Sequence, residues 1–156
     1  MDALWDLDVE PFGCRMGWPP VIGTPKPPAP LLTNFPGVGE HGGVFNPPCG
    51  WFVQAEATQG RGDQAFDMYR RCLPPVVSDR VGIERYGQEP YCYASHLLAP
   101  PQAKPGAAQL PWLTGTAPVM FMAATQYILG IRPTIRGLEI DPCIPRAWKG
   151  FHVQRR

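Results

Sequence analysis

Residues 42–73, GGVFNPPCGWFVQAEATQGRGDQAFDMYRRCL, decide how this chain is read. The stretch opens on a glycine pair and a turn, then carries two helical patterns joined by Gln59, Gly60, Arg61 and Gly62. Trp51, Gln54, Ala55 and Thr58 fall three and four apart, which places them on one helix face. Asp63 is suited to cap the second helix, its carboxylate accepting the free N–H groups of the first turn. In that helix Ala65, Phe66, Tyr69, Cys72 and Leu73 recur at helical spacing, with Asp67, Arg70 and Arg71 on a wetter side. Pro74 and Pro75 follow and cannot continue it. The spacing predicts a helical hairpin whose apolar faces need further elements to pack against.

The 156 residues have the length of one domain or of a piece of a larger one. A net charge of +1 gives no electrostatic case for nucleic acid or an anionic membrane surface. No apolar run reaches the roughly 18 residues of a membrane span, and the acidic N-terminus has no signal-peptide pattern. Cys14, Cys49, Cys72, Cys92 and Cys143 are odd in number, widely spaced and without a CxxC pair. They read as reduced thiols of a cytoplasmic protein, ahead of disulfides or a metal site. Proline (21) and glycine (17) together make about a quarter of the chain, a share that approaches low-complexity disorder. The 5 Trp, 5 Tyr and 7 Phe argue instead for a folded piece with long, proline-shaped loops.

Residues 1–9 read as the tail of a helix, with Leu4 and Leu7 on one face. Residues 10–39, 74–90 and 99–111 read as loops, with Asp79, Arg80, Glu84 and Arg85 exposed in the second. Residues 91–98 suit a short helix (Tyr91, Ser95 and Leu98 on one side). Residues 117–129 form the most apolar helix, one that expects cover on several sides. Residues 138–141 and 151–154 alternate apolar and polar and are predicted as short strands. Two lone strands are marginal in water, so the chain reads as cut within a helix at one end and within a sheet at the other.

A series of short motifs, all in one order, then resembles one family. NFPGVGEHGGVFN (34–46) is similar to the "PPGVKENGGIFNH" turn of the inverting β-glycoside phosphorylases, glycoside hydrolase family 94. GRGDQAF (60–66) resembles its "GRGDRAF", and Glu89-Pro90-Tyr91 its "EPYVY". WLTGTA (112–117) and YILGIRP (127–133) continue the series. GLEIDPCIP (137–145) with WKGF (148–151) resembles its "GLxIDPCIPxxWxGF". The likeness covers essentially the whole chain.

The resemblance implies a mainly α fold: the C-terminal part of an (α/α)6 barrel over residues 1–134, running into a short β segment over 135–156. It implies phosphorolysis of a β-linked glucoside to α-glucose 1-phosphate, with inorganic phosphate as co-substrate and no cofactor or metal. One carboxylic acid protonates the leaving oxygen while phosphate takes the place of water. The family's general acid lies N-terminal to everything here, so no catalytic residue is assigned.

The "TGT" turn maps the phosphate contacts onto Thr114 and Gly115, where a hydroxyl and a backbone N–H at a helix start suit an anion. The plainer alternative is that Thr114 or Thr116 only caps that helix. Glu40 matches a glutamate near the family's sugar site, or is a solvated loop carboxylate. Glu89 either lines the barrel or partners Arg85. The family's phosphate-binding histidine is replaced by Pro47, and His41 stands where the family has asparagine. His96 and His152 read as surface residues, and Trp51 and Trp112 as core residues before sugar platforms.

Three functions follow. The first is an inactive C-terminal fragment of a phosphorylase, or of the phosphorylase-like module of a cyclic β-1,2-glucan synthase. The second is a non-catalytic sugar-binding or assembly piece. The third is a hydrolase of another (α/α)6 family, with Glu40 or Glu89 as base. The partners implied are a β-linked oligosaccharide and phosphate, together with the missing N-terminal part or a homodimer mate, and neither nucleic acid nor membrane.

Overall fold

A computed structural model describes residues 2–20, 35–112 and 115–154. Of the motif residues quoted above, Asn34, Leu113 and Thr114 lie outside that set, as do the side chain of Leu4 and residues 21–34 of the first proline-rich loop.

A short 3₁₀ turn (Asp2–Leu7) leads into β1 (Asp8–Val9) and β2 (Gly13–Cys14), which pair antiparallel. After the described turn from Phe35 come β3 (Val44–Phe45) and α1 (Asn46–Thr58), then α2 (Gly62–Arg71), α3 (Pro74–Val81) and α4 (Ile83–Tyr86). Strands β4 (Ala94–Leu97) and β5 (Ala108–Pro111) join β3 in a three-stranded antiparallel sheet of order β3-β4-β5. Helix α5 (Thr116–Met122) runs into a π-helical turn (Ala123–Ile128), and β6 (Ile131–Thr134) with β7 (Gly137–Ile140) closes a hairpin. The described residues therefore mix five helices with seven short strands, more β than a mainly α chain would hold.

The predicted helical hairpin is present as α1 and α2. Gly60 turns the chain with φ +72, and Gly62 lies so close to the Ile144 carbonyl that a Cβ would collide with it. Glu56, fully buried, accepts from Trp5 Nε1 at 3.3 Å and faces Arg61 at 3.6 Å. The core gathers Phe52, Val53, Ala65, Met68, Val77, Leu97, Met120 and Ile128 from α1, α2, α3, β4, α5 and the π turn. Cys14, Cys49 and Cys72 lie in the same core as free thiols, with 3.5 Å between the Cys14 and Cys49 sulfurs.

Several local expectations are corrected. Asp63 does not cap α2: Arg61 holds that position, and Asp63 sits inside the first turn, accepting from the Arg146 N–H at 2.8 Å. Arg71 is not on the wet side, because Asp8, 63 residues earlier, draws it inward to 2.8 Å, with Asp67 at 3.0 Å. Pro74 and Pro75 end α2 but also start α3, where missing N–H groups cost nothing. Thus much of 74–90 is helical. Residues 91–98 are not a helix, since Cys92, Ala94 and His96 alternate inward and β3 and β5 supply strand partners. Part of the 99–111 loop is β5. The 117–129 helix is interrupted by the π turn, and Phe121 and Met122 remain exposed. Residues 151–154 are irregular, with no strand partner among the described residues.

Candidate functional site

The glycine-rich turn after Phe35 is held from two sides. Gly42 N–H donates to the Met16 carbonyl (2.8 Å) and Met16 N–H to the Gly43 carbonyl (3.1 Å). On the other side Ala99 N–H donates to the Gly37 carbonyl (2.9 Å), and Gln102 Nε2 to the Pro36 carbonyl (2.7 Å). Glu40 is half-buried on this turn and His41 is buried beside it. The turn hands the chain to β3, whose register sets Phe45 opposite His96 with the rings stacked at 6.2 Å.

His96 is not a surface residue: it is 6% exposed, and neither ring nitrogen has a hydrogen-bond partner among the described residues. Burial lowers its pKa below the ordinary histidine value, against an opposing pull from the Glu40 charge. Its place on the inward side of β4 is the reason, since a buried imidazole without partners is cheaper neutral than charged.

One backbone atom ties the motifs together. The Ala94 carbonyl accepts from Asn46 Nδ2 at 2.8 Å and from Thr116 Oγ1 at 3.2 Å, and both side chains are buried. Asn46 ends the glycine-turn motif, Ala94 follows the Glu89-Pro90-Tyr91 segment, and Thr116 ends the Thr-Gly-Thr turn. The sequence reading missed Asn46 and named Thr116 only as a cap. Their signal was present, since a short polar residue opens the helix at the end of each turn.

Gly115 sits exposed immediately ahead of α5, and a Cβ there would meet open space. Thr114, the other expected phosphate contact, lies outside the described residues. Pro47 occupies the first turn of α1, next to Asn46. Glu89 is exposed, with no ion pair to Arg85 among the described residues. Trp51 and Trp112 are not core residues, being 58% and 66% exposed. Among the described residues no group of three or more His, Cys, Asp or Glu side chains is placed to hold a metal. No helix of these residues is long and apolar enough to cross a membrane.

The buried node thus joins the three motif segments that carry half-buried Glu40, exposed Glu89 and exposed Gly115. Comparison with known proteins gives the class. The family model for the glycosyl hydrolase 94 superfamily catalytic domain matches residues 1–130, and the chain belongs to that family. It is 38% identical to an N,N'-diacetylchitobiose phosphorylase of Vibrio furnissii over 156 residues, which is 99% of this chain and 19% of that protein. It is 36% identical to a solabiose phosphorylase of Paenibacillus borealis (80% of this chain, 16% of that protein). It is 33% identical to the cyclic beta-(1,2)-glucan synthase NdvB of Rhizobium meliloti (strain 1021), covering 6% of that protein. The chain spans about a fifth of the length of the phosphorylases it matches.

Proposed function

We propose that these residues form part of the site of an inverting β-glycoside phosphorylase of the cytoplasm. In this reading residues 1–134 contribute to an (α/α)6 barrel and 135–156 open a β segment. The observation that carries it is the Ala94 carbonyl, on which Asn46 and Thr116 converge from two other motif segments. Inorganic phosphate is then held by Thr114 and by Gly115, whose flank is open space. Glu40 and Glu89 reach toward the β-linked sugar. Phosphate attacks the anomeric carbon while a carboxylic acid protonates the leaving oxygen. None of the 156 residues matches that acid, so this segment alone is catalytically silent and needs the rest of a barrel or a partner chain. Pro47 contributes no side-chain donor, leaving phosphate to Thr114 and Gly115.

The match to the glucan synthase favours a second reading, in which the same phosphate site belongs to the phosphorylase-like module of a cyclic β-1,2-glucan synthase. The test is phosphorolysis by the purified chain of cellobiose, N,N'-diacetylchitobiose and a β-1,2-linked disaccharide. No sugar 1-phosphate is expected, and its release would overturn the claim of silence. Phosphate binding, followed by ³¹P line broadening, should weaken in Gly115→Val. Unchanged broadening there would remove Gly115 from the cradle.

A further inference from the structure

Tyr91 and Trp112 form an open aromatic corner. Their ring centroids are 6.4 Å apart at 69°, and the two residues are 72% and 66% exposed. Cys92, Tyr93 and Ala117 floor a cleft of about 160 Å³ between them. That volume is well under the roughly 300 Å³ at which ligand pockets for larger molecules begin, so the cleft suits a single ring.

The backbone beneath the corner is strained. Leu110 and Trp112 have φ of 53° and 63°, and they are the two non-glycine residues with positive φ among the described residues. Such positions are costly for a residue with a side chain and persist where the surroundings hold them in place. Here the strain brackets Pro111 at the end of β5, whose pairing to Ala94 fixes that end of the strand. The indole is thereby held outward beside Tyr91.

We infer that Tyr91 and Trp112 form a stacking subsite for one pyranose ring of a β-linked gluco-configured sugar. A ring whose substituents are all equatorial offers two faces of C–H bonds, which pack on an aromatic face while the hydroxyls stay wet at the edge. Two rings set near a right angle match one face and one edge of such a sugar. A covering protein surface would need a broad, flat patch, whereas this one is narrow and concave. The subsite rests on the phosphorylase reading for its sugar class but not for its geometry. It assigns Tyr91 and Trp112 to holding the sugar, separate from the phosphate contacts at Thr114 and Gly115.

The experiment labels the 156-residue chain with 5-fluorotryptophan and follows its 5 tryptophans by ¹⁹F NMR. The Trp112 signal is assigned from Trp112→Phe. Titration with cellobiose or N,N'-diacetylchitobiose should move the Trp112 resonance and leave Trp5 in place, while mannitol, which has no ring, should move neither. Tyr91→Ala should weaken binding about threefold to tenfold, the range of one aromatic contact. Tyr91→Phe should retain it, because the ring and not the hydroxyl stacks. A Trp112 signal unmoved by either disaccharide, or moved equally in Tyr91→Ala, overturns the proposal. Inorganic phosphate alone should leave Trp112 still. A sugar response without phosphate binding keeps this subsite and sinks the phosphorylase reading, and the reverse outcome does the opposite.

Discussion

Leu97 in β4 and Leu138 in β7 are both leucines in four-residue antiparallel strands, yet the first is 1% exposed and the second 59%. The β3-β4-β5 sheet lies against α1 and shares its core with α2, α3 and α5. The β6-β7 hairpin has all four residues of β7 exposed, and Phe121 and Ile135 are in the open as well. Local pattern makes a strand in both places, whereas burial depends on what the rest of the chain brings to it. The apolar alternation of β4 is met by contacts among the described residues, and that of β7 is not.

The widest expected difference comes from the buried ion pair of the first region. Asp8→Ala leaves the Arg71 charge with little exposure and should cost about 3–5 kcal/mol in urea unfolding. A loss under about 1 kcal/mol would show that water reaches the pair. Next comes the leucine comparison itself. Leu97→Ala should cost about 3 kcal/mol, with Leu138→Ala within about 0.5 kcal/mol of the parent. Equal losses would erase the distinction between the two sheets.

A smaller effect concerns pH. Burial lowers the folded-state pKa of His96, so the unfolded state binds its proton more readily. Stability present above the ordinary histidine value of 6.5 should be lost as pH falls below it, toward the lower folded-state value. In His96→Phe that part of the slope should disappear, and a slope identical to the parent would assign it to other groups. The mildest test needs no mutation. The hydrogen bond with Cys49 and burial push the Cys14 thiol up, and Cys143 is the one cysteine not fully buried. Native protein should show one thiol reacting well before the rest with an aromatic disulfide reagent, and peptide mapping should place it at Cys143.

What the sequence made legible follows the same divide. Helices α1 and α2 were readable because their signals are local: helical spacing, Gly60 and Gly62 between them, and a proline pair after Leu73. The family was readable because motifs need only their own residues. Strand β4 was not, since residues 91–98 satisfy a helical spacing as well as an alternating one. The decision came from Val44 and Gln109 in distant strands, partners invisible to a local window. Arg71 was misplaced for the same reason, its partner Asp8 lying far upstream. Trp51 and Trp112 were read as core because aromatics usually are, and the positive φ of Trp112 leaves no mark in composition. In the site, Gly115 and Glu40 were named from motifs, whereas the Asn46–Ala94–Thr116 node required a backbone atom that no side-chain pattern encodes.

That node also has a kinetic meaning. A single carbonyl closes one loop of 48 residues to Asn46 and another of 22 to Thr116. Loop closure is an entropic cost that must be met before such contacts return anything. The helical hairpin can assemble from neighbours alone, but the node waits for both closures. The geometry of the turns that meet at this node should thus be among the last things the chain acquires as it folds. In native-state hydrogen exchange, the amides of β4 should open together with those at the start of α5.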